Sequence, residues 1–208
     1  RNYYTFIDGF RLGYIVLRLY ITYQYTTEDI EKEIIDYFVA NKSAVVVYSL
    51  HGIYDFEVVF WIKDINSYYH FWQQAMKKFG DYFQNQVLSF YSRYITYKYS
   101  YLLSDKRDKS HKKNIDVMGG MSAIEIDGLD VKILKTIATD AKMSSSDIAE
   151  KLNTKPNVVS YRIRKLIRSG VIKAFRANID ISKLGYQYFK VDIYLRDYNQ
   201  REKIIDYI

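Results

Sequence analysis

Hydrophobic residues recur along positions 12–103 in an order that predicts four strands and two helices. The strands carry hydrophobic residues at every second position or in short apolar runs, and the helices carry them at spacings of three and four. The order is strand, helix, strand, strand, helix, strand, which is typical of a ferredoxin-like βαββαβ domain with both helices on one face of an antiparallel sheet. The predicted strands are 14–23, 44–50, 55–62 and 87–99, and the predicted helices are 27–41 and 65–79.

Local signals support this ferredoxin-like module. Thr27 precedes an acidic first helical turn, which suits a helix N-terminus. The short connection His51–Asp55 joins the two central strands, and Gly52 can adopt a positive φ there. One face of such a sheet has no helix over it. We therefore expect homo-oligomers that meet sheet to sheet.

A different pattern occupies residues 127–180. Hydrophobic residues at helical spacing predict three short helices, of which the second begins near Ser144 and the third has Pro156 in its first turn and ends at Gly170. A strand follows the third helix. Three short helices and a strand pair are typical of a winged helix-turn-helix, so the fold class is α+β with two kinds of module. The mostly polar residues 104–126 between the modules, with Gly119 and Gly120, are predicted to be a flexible linker.

The two ends of the chain repeat each other with an offset of 172 residues. Ile7-Asp8 and Leu12-Gly13-Tyr14 recur as Ile179-Asp180 and Leu184-Gly185-Tyr186, and the alternating pattern of 17–22 recurs in 189–194. After a gap of two residues, the helical segment 34–37 recurs as 204–207. We therefore expect residues 1–11 to be the end of a preceding wing and 181–208 to be the start of a second ferredoxin-like domain. The parent protein is expected to hold two copies of a two-module unit.

Composition narrows the function. The 208 residues include no cysteine, which excludes disulfides and thiolate metal sites, and the short apolar runs predict no membrane span. A cytoplasmic protein without a cofactor or a metal is the expectation. The net charge is +7, and all seven charged residues between Lys155 and Arg176 are basic. Such a concentration favours a polyanionic partner.

Double-stranded DNA fits this charge because a helix-turn-helix places its third helix in the major groove. Asn pairs with adenine and Val contacts the thymine methyl group, while Arg and Lys bind bases or phosphates. The predicted DNA contacts are Asn157, Val158, Ser160, Tyr161, Arg162, Arg164, Lys165, Arg168, Lys173 and Arg176. Replacing Arg162 with Ala is expected to weaken DNA binding.

Several segments of the second module resemble the Lrp/AsnC transcriptional regulators. They are Asp127-Gly128-Leu129-Asp130-Val131-Lys132-Ile133-Leu134, Ser146-Asp147-Ile148-Ala149, Val159-Ser160-Tyr161-Arg162-Ile163-Arg164-Lys165-Leu166, Ser169-Gly170-Val171-Ile172 and Lys183-Leu184-Gly185-Tyr186. The resemblance implies that the first module is an effector and oligomerisation domain of the RAM/ACT type. It also implies that an amino acid-like effector binds near the turn 52–55, at Gly52, Tyr54 and Asp55. Lys155 stands where the family usually has a Ser cap, with Thr154 before it as a substitute.

Two alternatives remain open at this point. Some proteins that resemble this family are tetrapyrrole decarboxylases of the siroheme type, which use histidine and arginine around a porphyrinoid. This chain has three histidines, His51, His70 and His111, and none is at metal-ligand spacing from another. The other alternative is a ligand-sensing protein whose helix-turn-helix no longer binds DNA, and the basic stretch 155–176 argues against it.

Overall fold

The computed structural model describes residues 3–97 and 115–207, which form the two predicted kinds of module. Within these ranges, no helix is long and apolar enough to cross a membrane. The elements are β1 (Tyr3–Ile7), β2 (Ile15–Tyr23), α1 (Glu28–Val39), β3 (Ala44–Ser49), β4 (Phe56–Ile62), α2 (Ile65–Phe79), β5 (Phe83–Phe90), β6 (Arg93–Tyr97), β7 (Ile115–Gly119), α3 (Gly128–Ile137), α4 (Ser145–Lys151), α5 (Pro156–Arg168), β8 (Ile172–Ala177) and α6 (Arg201–Tyr207).

The first module has the predicted βαββαβ order. Its four strands form one antiparallel sheet in the order β3-β4-β2-β5, with β2 and β4 in the centre. Alternate residues of β2, such as Leu17 and Ile21, are fully buried against the two helices, where Phe38 of α1 contacts Phe56 of β4. Among the described residues, no helix covers the other face of the sheet.

Capping side chains set the beginnings of the two helices in this module. Thr27 accepts a hydrogen bond from the backbone N–H of Ile30, as the sequence predicts for α1. Asp64 accepts hydrogen bonds from the N–H groups of Asn66 and Ser67 at the start of α2. Because each cap satisfies donors that have no partner within the helix, both helices begin within one residue of their predicted positions.

The helix-turn-helix module is built from α3, α4, α5 and β8. Its core joins Ile133 of α3, Ile148 of α4 and Leu166 of α5, all almost completely buried. Capping boxes start α3 at Asp127 and α4 at Ser144. The substitute cap at Thr154 is not present: α5 has Lys155 at its N-cap, and the N-cap residue makes no side-chain capping hydrogen bond.

Residues 3–11 form part of this helix-turn-helix module. β1 pairs antiparallel with β8, and thus supplies the second strand of the wing. The Thr5 hydroxyl donates to the carbonyl of Ile137 at 2.6 Å, and the N–H of Asp8 donates to the carbonyl of Val171 at 2.8 Å. The repeat assigns residues 1–11 to a preceding wing, but β1 within this segment pairs with β8 and thus completes the wing that follows α5. The edge of β8 is open to this pairing.

The predicted strand 87–99 and linker 104–126 differ from the structure. The strand begins at Phe83, breaks at residues 91–92 and resumes as β6, which pairs with β7 instead of with the main sheet. β7 covers residues 115–119 of the predicted linker, and the rest of that segment up to residue 114 lies outside the described residues. The alternation in β7 is short and ends at Gly119, which is why polarity alone assigned it to a loop.

Residues 181–207 form only part of the secondary structure that the repeat predicts for them. α6 spans the helix predicted from the recurrence of 34–37 at 204–207. Residues 186–195, which include the predicted strand 189–194, are not in a ladder. A strand needs a neighbour for its backbone groups, and in the described residues no strand lies in register beside them.

Candidate nucleic-acid interface

One face of α5 points away from the core and carries the charge. Val159 and Leu166 bury the opposite face of the helix. Asn157, Tyr161, Arg164 and Arg168, spaced by four, three and four residues, are all exposed. We call these four residues the α5 stripe.

The α5 stripe borders a shallow depression of about 440 Å³ near the end of the helix. Tyr161, which is 61% exposed, lines it together with Arg164 and Arg168. Lys165 and Ser169 complete the lining. In the described part of the chain, Arg164 and Arg168 make no ion pair, so their guanidinium groups are available to phosphates or base edges.

Arg162, a predicted DNA contact, does not lie on this face but is directed toward α3. Its guanidinium bonds to Asp127 and lies 3.1 Å from Oδ1 of Asp130, a residue with no exposed surface. This hydrogen bond from Arg162, together with the backbone N–H of Asp130, lowers the pKa of the Asp127 carboxyl below its ordinary value. Arg162 thus joins α5 to the start of α3. Its two carboxylate partners neutralise the charge that was expected to reach DNA.

Lys173 and Arg176 of the wing are likewise paired within the chain. The ammonium of Lys173 lies 3.5 Å from the carboxylate of Asp8, which is buried. Arg176 bonds to Asp116 of β7, and its guanidinium lies 4.4 Å from the ring centre of Phe6. These ion pairs connect β8 to the residue that follows β1 and to β7.

The remaining predicted contacts lie beside the α5 stripe. The Ser160 hydroxyl is 2.9 Å from that of Ser145 and connects α5 to α4. Val158 is partly buried, and its N–H donates to the side-chain oxygen of Asn157 at 2.9 Å. Lys165 is half exposed, with its ammonium 3.9 Å from Asp130. Of these, Lys165 adds a positive charge to the stripe.

Arg11 is a supporting residue that the sequence did not reveal. Its guanidinium donates to the carbonyl of Ser169 at 2.8 Å, and thus satisfies the C-terminal end of α5. A cation at this position also interacts favourably with the helix dipole. The contact spans 158 residues of sequence, so no local pattern could indicate it.

The predicted effector residues lie at the β3–β4 turn and have different roles. Gly52 has a φ of +153°, and a Cβ added there would meet nothing within 4 Å. The Tyr54 ring stacks on Tyr20 at 4.4 Å between ring centres. Asp55 accepts a hydrogen bond from the N–H of Tyr23 at 2.7 Å, and thereby fixes the turn to β2. The structure thus gives Asp55 a structural role.

Tyr54 also interacts with residues near Tyr194. The interaction with the Tyr194 hydroxyl is the main cause that raises the pKa of Tyr54, followed by desolvation. The candidate effector turn therefore adjoins residues 192–194, and any ligand bound there would be close to both parts of the chain.

Comparison with known proteins supports the identification of the second module as a winged helix-turn-helix. Residues 126–173 match the family described as winged helix-turn-helix DNA-binding. An uncharacterized HTH-type transcriptional regulator of Pyrococcus furiosus is 42% identical over 64 residues, 31% of this chain and 43% of that protein. The regulatory protein AsnC of Haemophilus influenzae is 35% identical over 81 residues, 38% of this chain and 54% of that protein. The chain thus spans about half the length of the curated relatives it matches.

A solved structure is similar over most of the chain. The siroheme decarboxylase NirDL aligns with a TM-score of 0.55 and 8% identity, and the match covers 84% of this chain and 49% of that one. At this identity the likeness concerns the fold alone. It shows that the α+β arrangement of both modules occurs in a protein of known structure.

Proposed function

Because residues 126–173 form a winged helix-turn-helix of the Lrp/AsnC type, we propose that the protein is a sequence-specific DNA-binding transcriptional regulator. In this proposal α5 enters the major groove of double-stranded DNA. Asn157, Tyr161 and Arg164 meet base edges, while Lys165 and Arg168 contact phosphates.

The observation that carries the proposal is the separation of two kinds of basic residue on and around α5. Arg162, Lys173 and Arg176 are neutralised by carboxylates of their own module or of β7. The α5 stripe, which includes the exposed ring of Tyr161, is left on the surface as a band of one sign of charge, and the half-exposed Lys165 adjoins it although its ammonium lies 3.9 Å from Asp130. A band of this kind attracts a polyanion, and its amide and guanidinium groups can distinguish bases.

Selection from a random pool of double-stranded DNA tests the proposal. The selected sequence is expected to bind the wild type, and Arg164→Ala is expected to weaken that binding without changing the melting temperature. Arg196→Ala is a matched control, because Arg196 is exposed and lies outside the helix-turn-helix. No enrichment of any sequence, or equal loss in Arg164→Ala and Arg196→Ala, would contradict the proposal.

We further propose that a small amino acid-like effector binds near the β3–β4 turn. Support comes from the open space at Gly52 and from the position of Tyr54 between Tyr20 and Tyr194. A thermal-shift screen of the twenty amino acids tests this. Tyr54→Phe is the informative variant, since Asp55→Ala would disturb the turn itself. A ligand that raises the melting temperature of the wild type and of Tyr54→Phe equally does not use this site.

A tetrapyrrole-binding activity is the second candidate, because the likeness to the siroheme decarboxylase spans both modules. It predicts a shift of the siroheme absorption band when the protein is added, followed by release of carbon dioxide. The DNA-binding proposal predicts neither. A titration of siroheme in the presence and absence of the selected DNA therefore separates the two.

A further inference from the structure

The side chain of Asn157 bonds to the first turn of its own helix. Backbone N–H groups in a first helical turn have no acceptor four residues earlier. Asp127 and Ser144 accept such bonds in α3 and α4, but Lys155 at the N-cap of α5 makes no side-chain bond. The N–H of Val158 is shared between the Lys155 carbonyl at 3.0 Å and Oδ1 of Asn157 at 2.9 Å. The oxygen of the Asn157 amide is thus engaged within α5.

This bond determines which part of the Asn157 amide is presented to a partner. An amide side chain carries one acceptor oxygen and one NH₂ group with two donors. Because Oδ1 is held by the backbone and the residue is exposed, Asn157 presents Nδ2, which is a donor. A bidentate contact with adenine needs the oxygen and the nitrogen together. Such a contact would therefore require the bond to Val158 to break.

The other polar groups on the exposed face of α5 are also mainly donors. Arg164 and Arg168 carry guanidinium groups, which donate and do not accept. The Tyr161 hydroxyl both donates and accepts, so it is compatible with either kind of partner. The Ser160 hydroxyl is part-buried and lies 2.9 Å from that of Ser145. Since α5 contains no acidic residue, its exposed face has no carboxylate acceptor.

Base edges in the major groove differ in what they require from such a face. Guanine presents two neighbouring acceptors, N7 and O6, whereas adenine and cytosine each present an amino group that needs an acceptor. A donor placed against an amino group leaves both without a partner, and this costs binding free energy. Thymine offers one acceptor, O4, beside its methyl group. Guanine is therefore the base that a donor face matches best.

We infer that α5 selects guanine at two positions of its DNA site, one bonded by Nδ2 of Asn157 and the other by the guanidinium of Arg164. The inference rests on the proposed DNA binding and adds the identity of the bases. The two residues lie two helical turns apart on one face, a distance of about 10 Å along the axis. With a rise of about 3.4 Å per base pair, this corresponds to roughly three base-pair steps. The two guanines are thus about three positions apart.

Repeated selection from random double-stranded DNA locates the two positions. Each is the position at which Asn157→Ala or Arg164→Ala loses the base preference of the wild type. Guanine is expected at both. Replacing the guanine opposite Arg164 with adenine is expected to weaken binding of the full wild-type chain by about 5- to 150-fold.

Base analogues test whether the major-groove acceptors are what Arg164 reads. The analogue 7-deazaguanine lacks N7 but still pairs with cytosine, and it is expected to weaken wild-type binding by about fivefold or more. Inosine is the matched control, because it keeps N7 and O6 and lacks only the amino group in the minor groove. It is expected to bind nearly as well as guanine. Arg164→Ala is expected to bind guanine and 7-deazaguanine equally.

A change of Asn157 from donor to acceptor tests the second position. Asn157→Asp is expected to move the preferred base there from guanine to cytosine or adenine, which present amino groups. The variant is expected to keep its melting temperature, since an acidic residue suits a first helical turn. Asn178→Asp makes the same charge change at an exposed residue after β8 and is expected to leave the base preference unchanged.

The outcomes distinguish this inference from the proposal on which it rests. A selection that enriches no sequence contradicts DNA binding, and the guanine assignment falls with it. An enriched sequence with adenine or cytosine at the two positions, or equal binding of 7-deazaguanine and guanine by the wild type, refutes the guanine assignment and leaves DNA binding intact. A base preference that is the same in Asn157→Asp and in the wild type refutes the role of Asn157.

Discussion

The two arginines Arg162 and Arg164 are two residues apart on α5, yet the structure gives them different roles. Arg162 bonds to the carboxylates of Asp127 and Asp130, while Arg164 lies on the exposed stripe. We therefore predict that Arg162→Ala lowers stability and that Arg164→Ala lowers DNA affinity. The same chemical change at neighbouring positions thus tests where each side chain points.

The expected magnitudes follow from burial. Removing one partner of a buried ion pair costs about 3–5 kcal/mol, because the other charge is left without compensation. Arg162 retains 23% exposure and Lys165 lies 3.9 Å from Asp130, so we reduce the expected loss to about 2 kcal/mol. For a module of this size that corresponds to a melting temperature lower by roughly 10 °C. Loss of a base contact from Arg164 weakens binding by about 1–3 kcal/mol, or about 5- to 150-fold.

The assay combines thermal denaturation with fluorescence anisotropy on the selected DNA. Binding is measured well below the melting temperature of each variant, so that unfolding does not imitate loss of affinity. Asp130→Asn in the Arg162→Ala background is expected to restore part of the stability, since it removes the unpaired charge. If Arg162→Ala melts with the wild type and still loses DNA binding, the assignment of the two residues is wrong.

Further predictions concern salt, pH and the N-terminal strand. DNA affinity is expected to fall steeply with salt, and Lys165→Ala is expected to reduce the slope of log K against log salt by about 1, which a titration series measures. The pKa of Asp127 is lower in the folded state, so its contribution to stability is present above about pH 4 and is lost as the pH falls through the folded pKa. Denaturation between pH 2.5 and 6 is therefore expected to show a smaller loss in Asp127→Asn, and parallel curves would contradict the pairing. Thr5→Val is expected to destabilise the helix-turn-helix by about 1–2 kcal/mol, because the buried carbonyl of Ile137 loses its donor, whereas exposed Thr136→Val serves as the control.

Local patterns were sufficient for most of the secondary structure. α2 begins and ends where its hydrophobic spacing and its final aromatic residue predict, at Ile65 and Phe79. Val159 and Leu166 of α5 are buried as the helical period predicts, whereas Ile167, expected on the same face, is 44% exposed. These features depend on residues within a few turns of one another.

Charge assignment on α5 shows what local patterns cannot supply. The sequence places Arg162 and Arg164 in the same basic run, and only the position of α3 shows that Arg162 meets two carboxylates. Lys173 and Arg176, which were predicted to contact phosphates, are paired in the same way with Asp8 and Asp116. A charge run in the sequence indicates the sign of a surface, but its partners are decided by packing.

The sequence by itself determined the two modules, their order and the repeat of 172 residues, because hydrophobic periodicity and identity between segments are local properties of the chain. Tertiary structure decided that β1 completes the wing of a helix-turn-helix more than a hundred residues away, and that Lys190 compensates the buried Glu57. Both results depend on which edges and charges meet after folding. Burial makes an unpaired strand edge or carboxylate costly, so the chain pairs them with groups that are remote in sequence.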